Sequence, residues 1–411
     1  MGIVVQKYGG TSVGTADRIH KVAERIIRYK NEGHQMIVVV SAMGKSTDVL
    51  VDLAKELHTN PPAREMDMLL ATGEQVTIAL LSMALQNRGY EAVSMTGWQA
   101  GITTEPIHGR ARIHQIDNDR IKQELEQGRI VIVAGFQGAS NTGEITTLGR
   151  GGSDTTAVAL AASLQAECCE IYTDVSGVFT ADPRIAPCAQ KLDRISYDEM
   201  LELATLGAGV LHPRSVETAK KYQVKLIVRS SFTDEEGTIV EEESNMETGK
   251  VVSGIAHDTS VASITVIGMP VKVGMLSNLF KTLAISGINV DIIIQSTYHD
   301  KANNISFTTS TEDLPRAIQT LHAYQEDLGF ESVEYEDDLA KVSIVGAGMI
   351  TNPGVAADMF SHLSEQNILI RMVSTSDIKV SCVIPRDQIS LAVSTLHRSF
   401  GLDVQEAVVH G

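Results

Sequence analysis

Short β-branched runs and helical repeats of apolar residues alternate along the first 230 or so positions. Ile3-Val4-Val5-Gln6 reads as a buried strand. Ile19, Val22, Ala23, Ile26 and Ile27 then recur at helical spacing, which predicts a helix from about Ala16 to Lys30 with one core face. Met36-Ile37-Val38-Val39-Val40 and Ile130-Val131-Ile132-Val133-Ala134 are almost continuously β-branched, as strands buried on both faces of a parallel sheet are. A further short strand is predicted at Cys169-Glu170-Ile171-Tyr172 and an apolar helix at Ala157 to Ala166. Strands alternating with helices imply a three-layer αβα sandwich around a mostly parallel sheet.

The pattern breaks at Thr233-Asp234-Glu235-Glu236-Gly237 and Glu241-Glu242-Glu243-Ser244-Asn245, an acidic stretch without apolar period that reads as a linker. Beyond it the chain repeats itself. Gly274, Phe280, Leu283, Ile288, Val290 and Ser296 recur 80 positions later (354 − 274) as Gly354, Phe360, Leu363, Ile368, Ile370 and Ser376. Each copy reads strand, glycine turn, helix, strand, strand, helix, a ferredoxin-like unit. The expected domains are 1–232, a linker at 233–250, and two repeats at 251–335 and 336–411.

Candidate chemistry gathers at the ends of the predicted strands. Lys7-Tyr8-Gly9-Gly10-Thr11-Ser12 places a mobile positive charge and two glycines at the carboxyl end of the first strand, where open α/β sheets bind ligands. Gly149-Arg150-Gly151-Gly152-Ser153-Asp154-Thr155-Thr156 precedes the apolar helix. Its glycines allow a sharp turn, Ser153, Asp154 and Thr155 are suitable helix caps, and Arg150 can clamp a carboxylate or a phosphate. Thr173 to Arg184, with two carboxylates, Phe179 and an arginine, suits a nucleotide. Two common nucleotide folds are excluded: a Walker A loop ending at Gly44-Lys45-Ser46 would need glycine at Val39, and a dinucleotide fingerprint at Gly346-Ala347-Gly348 would need glycine at Thr351.

Net charge is −17, which argues against nucleic acid or an anionic membrane as partner. No apolar run reaches the roughly 18 residues of a membrane span, and no leader is expected before the first strand. Cys168, Cys169, Cys188 and Cys382 lack metal-ligand or redox spacing, so they read as reduced core thiols of a cytoplasmic protein. The scattered histidines give no metal site.

Taken together, Lys7–Ser12, Val40-Ser41-Ala42-Met43-Gly44-Lys45-Ser46-Thr47-Asp48, Thr72-Gly73-Glu74, Gly149–Thr156 and Thr173–Arg184 resemble, in order, the motifs of the amino acid kinase family. Within it the chain resembles the monofunctional aspartokinases of the Bacillus type, and its repeat resembles tandem ACT domains. The resemblance implies an amino acid kinase sandwich followed by two ACT domains, with Val251–Ile255 as the candidate segment for strand exchange into the second ACT fold. The implied reaction moves the γ-phosphoryl of ATP, carried with Mg²⁺, to the side-chain carboxylate of L-aspartate. A carboxylate of ordinary pKa near 4 needs no general base, so positioning and charge neutralisation are the task.

By this resemblance Lys7 meets the transferring phosphoryl and Asp154 orients it. Arg150 grips a substrate carboxylate, Glu74 takes the α-ammonium, and Thr47, Gly151, Gly152 and Ser153 add contacts. Gly9, Gly10, Thr173, Asp174, Phe179, Thr180, Asp182 and Arg184 surround ATP. Effectors, L-lysine and with it L-threonine, would meet Asn289, Asp291 and Gln295 in one copy and Thr351, Asn352 and Asn367 in the other. Assembly through ACT domains is implied, as is a separate regulatory subunit started at Met246. Two departures stand out. Gly209 replaces a lysine that relatives use on ATP, with Arg184 or Lys225 as candidate substitutes, and Val271 replaces a sensor aspartate. A lapsed sensor, or a kinase with another acceptor acid, is the competing expectation.

Overall fold

The computed structural model describes residues 2–207, 209–242, 251–299 and 302–403, which form two compact units. Met246 lies outside the described residues. The first unit comprises residues 2–178, Lys191–Thr205 and 209–242 of those described. Its strands are β1 (Ile3–Tyr8), β2 (Gln35–Val40), β3 (Ala92–Met95), β4 (Ile102–Thr104), β5 (Ile113–Ile116), β6 (Ile130–Ala134), β7 (Gln137–Ser140), β8 (Ile145–Thr147), β9 (Cys168–Thr173), β10 (Arg194–Ser196), β11 (Leu226–Ser230) and β12 (Thr238–Glu241). Its helices are α1 (Ala16–Asn31), α2 (Ser46–Leu57), α3 (Ala63–Gln86), α4 (Asp119–Glu126), α5 (Gly152–Ser163), α6 (Tyr197–Thr205) and α7 (Pro213–Tyr222).

The main sheet runs β10-β12-β11-β9-β1-β2-β6-β3, parallel from β11 to β3, with β12 antiparallel to β11. A second sheet, β5-β4-β7-β8, lies in the same unit. Strict alternation along β1 sorts its side chains. Val4 and Tyr8 join Ile19, Val22 and Ile26 of α1 and Ile78, Leu81 and Leu85 of α3 in one core. The opposite face carries Val5 and Lys7 toward α5. That helix is apolar around its circumference, with Ala157, Val158, Leu160 and Ala161 buried, because sheet and neighbouring helices enclose it.

Sequence and structure differ in four places. The expected linker contains β12, whose Ile239 and Val240 pair with Ile227 and Leu226, so the apolar pair inside the acidic stretch extends the sheet. Residues 179–190 and 206–207 belong to the second unit. Helix α3 is long and apolar enough to cross a membrane by length and composition, although Asp67 and Glu74 lie within it; half of its most apolar 18-residue window is buried, and Ile78, Leu81 and Leu85 join the core with α1. Finally, only Cys169 and Cys382 are buried thiols, while Cys188 is exposed.

The second unit has strands β13 (Gly254–Pro270), β14 (Ile293–His299), β15 (Ala302–Ser310), β16 (Ser332–Val345), β17 (Met372–Ser376) and β18 (Lys379–Pro385). Helices α8 (Met275–Ile285), α9 (Leu314–Ala323), α10 (Gln325–Leu328), α11 (Val355–Glu365) and α12 (Ile389–Ser399) accompany them. All six strands form one sheet, β14-β15-β13-β16-β18-β17. The repeat is explicit in its helix starts: Gly274 and Gly354, 80 positions apart, cap α8 and α11 with φ of 92° and 106°. Leu283 and Ile288 enter one core, and Leu363 and Ile368 enter the other. Val252 and Ile255 lie in the core of the second copy, and Gly254–Asp258 pairs with Val345–Lys341.

Candidate functional site

Strand register brings the chemistry of the first unit to one edge. Tyr8 is level with Val40 on one side and Tyr172 on the other, and Val40 is level with Ala134. The loops beginning at Gly9, Ser41, Gly135 and Asp174 therefore leave the sheet together at its carboxyl edge, where such sheets bind ligands.

Lys7, the last inward residue of β1 on the α5 face, meets the first turn of α5. Its Nζ lies 2.6 Å from Asp154 Oδ1, and both side chains are nearly enclosed. The helix begins at Gly152, with Gly151 as a left-handed cap (φ 67°). Ser153, Asp154 and Thr155 thus occupy the first turn rather than the cap position, because the glycine accepts the left-handed geometry that they would resist. Thr155 and Thr156 donate their hydroxyls back to the Gly151 and Gly152 carbonyls. Asp154 keeps a favourable place near the positive end of the helix while holding the lysine.

Backbone fills the space around Gly10: a Cβ there would stand 2.8 Å from the Ala42 carbonyl oxygen and 3.1 Å from that of Gly44. Gly44 N–H donates to the Gly10 carbonyl at 2.9 Å, so the first and second loops are stitched together. A Cβ on Gly9 would lie 3.6 Å from Lys7 Nζ, leaving the lysine head open on that side. Ser41 donates to Ser153 Oγ at 3.0 Å, joining the second loop to the start of α5. Thr47 is half-buried in the first turn of α2.

Glu74 comes from the middle of α3 and is 3% exposed. One oxygen accepts from Ala42 N–H at 3.2 Å, while Oε2 is buried without a partner. Burial pushes this carboxyl up to about 7, against the pull of the Ala42 N–H and the Gln137 amide. The Gln137 side chain is fully buried, donates to the Ala71 carbonyl at 2.8 Å, and leaves Oε1 unpartnered. Two buried acceptors without donors suit an incoming ammonium. Arg150, by contrast, is exposed and has no ion-pair partner among the described residues.

Several neighbours carry no motif. Phe136 has φ 69°, an uncommon conformation for a bulky side chain, and its carbonyl accepts from Leu148 N–H at 2.8 Å. His212 crowds Gly151 so closely that any Cβ there would overlap its ring, and burial lowers its pKa despite Asp154 nearby. A glycine-flanked aromatic in Gly135-Phe136-Gln137-Gly138 was the available signal for the first. The second had none, since the contact spans about 60 positions.

Thr173 and Asp174 stand at the carboxyl end of β9, with the Thr173 hydroxyl donating to Asp174 at 3.0 Å. The other four candidate nucleotide contacts of that loop, Phe179, Thr180, Asp182 and Arg184, fall in the second unit. Thr180 Oγ1 is buried, accepts from Gln190 N–H at 2.9 Å and lies 2.8 Å from His397 Nε2. Arg184 forks onto Asp182, with Nε and NH2 contacts of 3.0 and 2.7 Å, and holds that carboxyl below the usual range. Lys225 precedes β11 at the opposite, amino edge of the sheet and sits 4.0 Å from Glu241, so it does not stand beside Lys7.

In the second unit Gln295 lines a cavity of about 310 Å³ with Met269, Lys272, Leu276 and Asn303. Asp291 is engaged elsewhere, 2.5 Å from Lys341 Nζ. Asn289 offers its carbonyl to Thr309. Asn352 donates to the Gly348 carbonyl and to Thr351, and Asn367 (φ 54°) closes α11 in the left-handed region.

Residues 2–230 match the amino acid kinase family, and residues 264–325 and 342–400 match an ACT domain. The chain is 60% identical to aspartokinase 2 of Bacillus subtilis over 409 residues, and 58% identical to the aspartokinase of Geobacillus stearothermophilus, in each case covering the whole of both chains. Among solved structures it resembles Escherichia coli aspartokinase III in complex with aspartate and ADP, with a TM-score of 0.83 and 27% identity over 97% of this chain and 99% of that one. With sandwich, tandem repeat and relatives in agreement, the chain belongs to the amino acid kinase family, among its Bacillus-type aspartokinases with ACT domains, as an ATP-dependent kinase acting on aspartate.

Proposed function

We propose that this kinase transfers the ATP γ-phosphoryl to the side-chain carboxylate of L-aspartate, giving 4-phospho-L-aspartate, and that L-lysine inhibits it through the ACT unit. The observation that carries the catalytic reading is the 2.6 Å Lys7–Asp154 pair, set within the same unit as the unpartnered buried oxygen of Glu74. The acceptor carboxylate is ionised at neutral pH, so attack needs no base; the barrier lies in bringing two anions together. Lys7 neutralises the moving phosphoryl, and Asp154, 2.6 Å from its Nζ, keeps the ammonium aimed. Glu74, with Gln137 beside it, receives the α-ammonium. Arg150, unpaired and exposed, is available to fork onto a substrate carboxylate. Gly9 and Gly10 let the backbone approach phosphates, with Thr173 and Asp174 at the next strand end. Mg²⁺ would come with ATP and would supply charge neutralisation at its phosphates.

Support for regulation is chemical as well as comparative. The cavity beside Gln295 has amide and ammonium groups at an otherwise apolar wall, and a structure of E. coli aspartokinase III holds lysine and aspartate. Threonine acting jointly with lysine, Mg²⁺ as the metal, entry into lysine and threonine biosynthesis, assembly through ACT domains and a second product from Met246 belong to the same proposal. Hydroxamate formation from ATP, Mg²⁺, hydroxylamine and L-aspartate tests it. Product should require aspartate, vanish in Lys7→Ala and fall when lysine, alone or with threonine, is added. Aspartate-independent product would refute the acceptor, and indifference to lysine in either form would refute the regulation.

A further inference from the structure

Asp67 is a fully buried carboxylate that lies outside every motif of the family resemblance. It sits on α3 seven residues before Glu74, two helical turns away on the same face, a rise of about 10 Å. Its oxygens collect three donors from two separate segments. Gly109 N–H lies 3.0 and 3.1 Å from the two oxygens, and His108 Nδ1 lies 2.8 Å from Oδ2. The Thr147 hydroxyl donates to Oδ1 at 2.5 Å.

Thr147 leads directly into Leu148, Gly149 and Arg150, and every link of that approach is held. The Thr147 carbonyl accepts from Ala111 N–H at 2.9 Å, and Leu148 N–H donates to the Phe136 carbonyl. Arg214 spans the two segments, with NH1 2.7 Å from the Leu148 carbonyl and NH2 3.1 Å from the Ala111 carbonyl. A Cβ on Gly149 would stand 3.0 Å from the Gly109 carbonyl, so the segments touch through backbone. Arg150 itself is exposed, and its aim therefore depends on where its backbone is delivered.

We propose that Asp67 is a positioning residue for substrate recognition: through Thr147 it fixes the segment that delivers Arg150, in register with Glu74 on the same helix. One rigid helix then sets both halves of zwitterion recognition, the acceptor of the ammonium directly and the clamp on the carboxylate through an anchored strand end. The inference rests on the aspartate-kinase reading, in which Arg150 grips a substrate carboxylate.

Asp67→Asn replaces an acceptor with a donor facing other donors. Thr147→Val removes only the strand-side hydrogen bond at nearly constant volume, and Thr147→Ser retains the hydroxyl. Initial rates on the full chain should show KM for L-aspartate raised about tenfold in D67N and T147V, with KM for ATP and kcat within about twofold, and recovery in T147S. In an Arg150→Ala background, D67N should change kcat/KM for aspartate by less than about twofold, because its route is already cut. A purely structural staple would instead move both KM values together or neither, and either result overturns the inference, as does full multiplication of the D67N and R150A effects. Wild-type protein with no aspartate-dependent turnover would overturn the underlying reading, a result distinct from turnover that D67N and T147V leave unchanged.

Discussion

Replacing Glu74 with glutamine separates what the fold wants from what the substrate wants. Burial raises this carboxyl from an ordinary 4.5 to about 7. Between those values the unfolded chain has released the proton while the folded chain still holds it. Stability contributed by the neutral form is therefore complete below pH 4.5 and is lost as pH rises through 7. The 2.5 units between 4.5 and 7 correspond to about 3 kcal/mol at 1.36 kcal/mol per unit. Glutamine carries no charge and avoids that loss. E74Q should match wild type within about 1 kcal/mol near pH 5 and exceed it by about 3 kcal/mol at pH 8.5. For a unit of this size that is about 5–10 °C in the thermal transition, read by differential scanning calorimetry. Saturating L-aspartate should narrow the gap at pH 8.5, since its ammonium supplies the missing partner to wild type alone. Kinase activity should fall about 100-fold or more as stability rises. A stability gap identical at both pH values would refute the reasoning, because the gain would then owe nothing to a buried charge.

Three further outcomes follow from the contacts. Gly10→Ala places a methyl against two fixed carbonyls, an overlap worth about 1–3 kcal/mol, so kcat/KM should drop about 10- to 100-fold; steady-state rates within twofold of wild type would contradict it. Glu170→Gln strips a buried carboxylate that accepts from Gln6, Tyr29 and Tyr172 and pairs with Arg229 at 3.2 Å, and urea unfolding of the first unit should lose about 2 kcal/mol. Thr180→Val removes a buried hydroxyl that meets Gln190 N–H and His397. The thermal transition of the second unit should fall by the equivalent of about 1–3 kcal/mol, with Thr180→Ser close to wild type.

Where burial dictated the residues, the architecture was legible in the sequence. Met36–Val40 and Ile130–Ala134 are fully enclosed strands, and the predicted core face of α1 is buried at Ile19, Val22, Ala23 and Ile26. The repeat was legible too, because a glycine cap and a few core positions recur at fixed separation. Strand β12 was hidden because two apolar residues inside an acidic stretch are too few to show a period, and only the neighbouring β11 reveals their use. For the site, strand-end loops and glycine turns announced Lys7, Gly10 and Asp154. Gln137, His212 and Asp67 were silent: each matters through a partner far away in sequence, and single residues carry no record of such partners. Thr180 shows the converse, a residue inside a recognisable motif whose hydroxyl is bound within the second unit.

Strands β13 and β16, 17 and 14 residues long, run through both ACT copies and pair antiparallel from Gly254 with Val345 to Ile267 with Ser332, with register shifts between Asp258 and Ser263. Such rails tie the two ACT copies into one unit. A cut between the copies severs a strand that both need, exposing unpaired backbone and two half-covered cores. Recombination or engineering that seeks a new effector response must therefore exchange the duplicated block whole, from the residues entering β13 to the end of α12. With each copy's sheet completed by strands it shares with the other, the two copies fold as one piece.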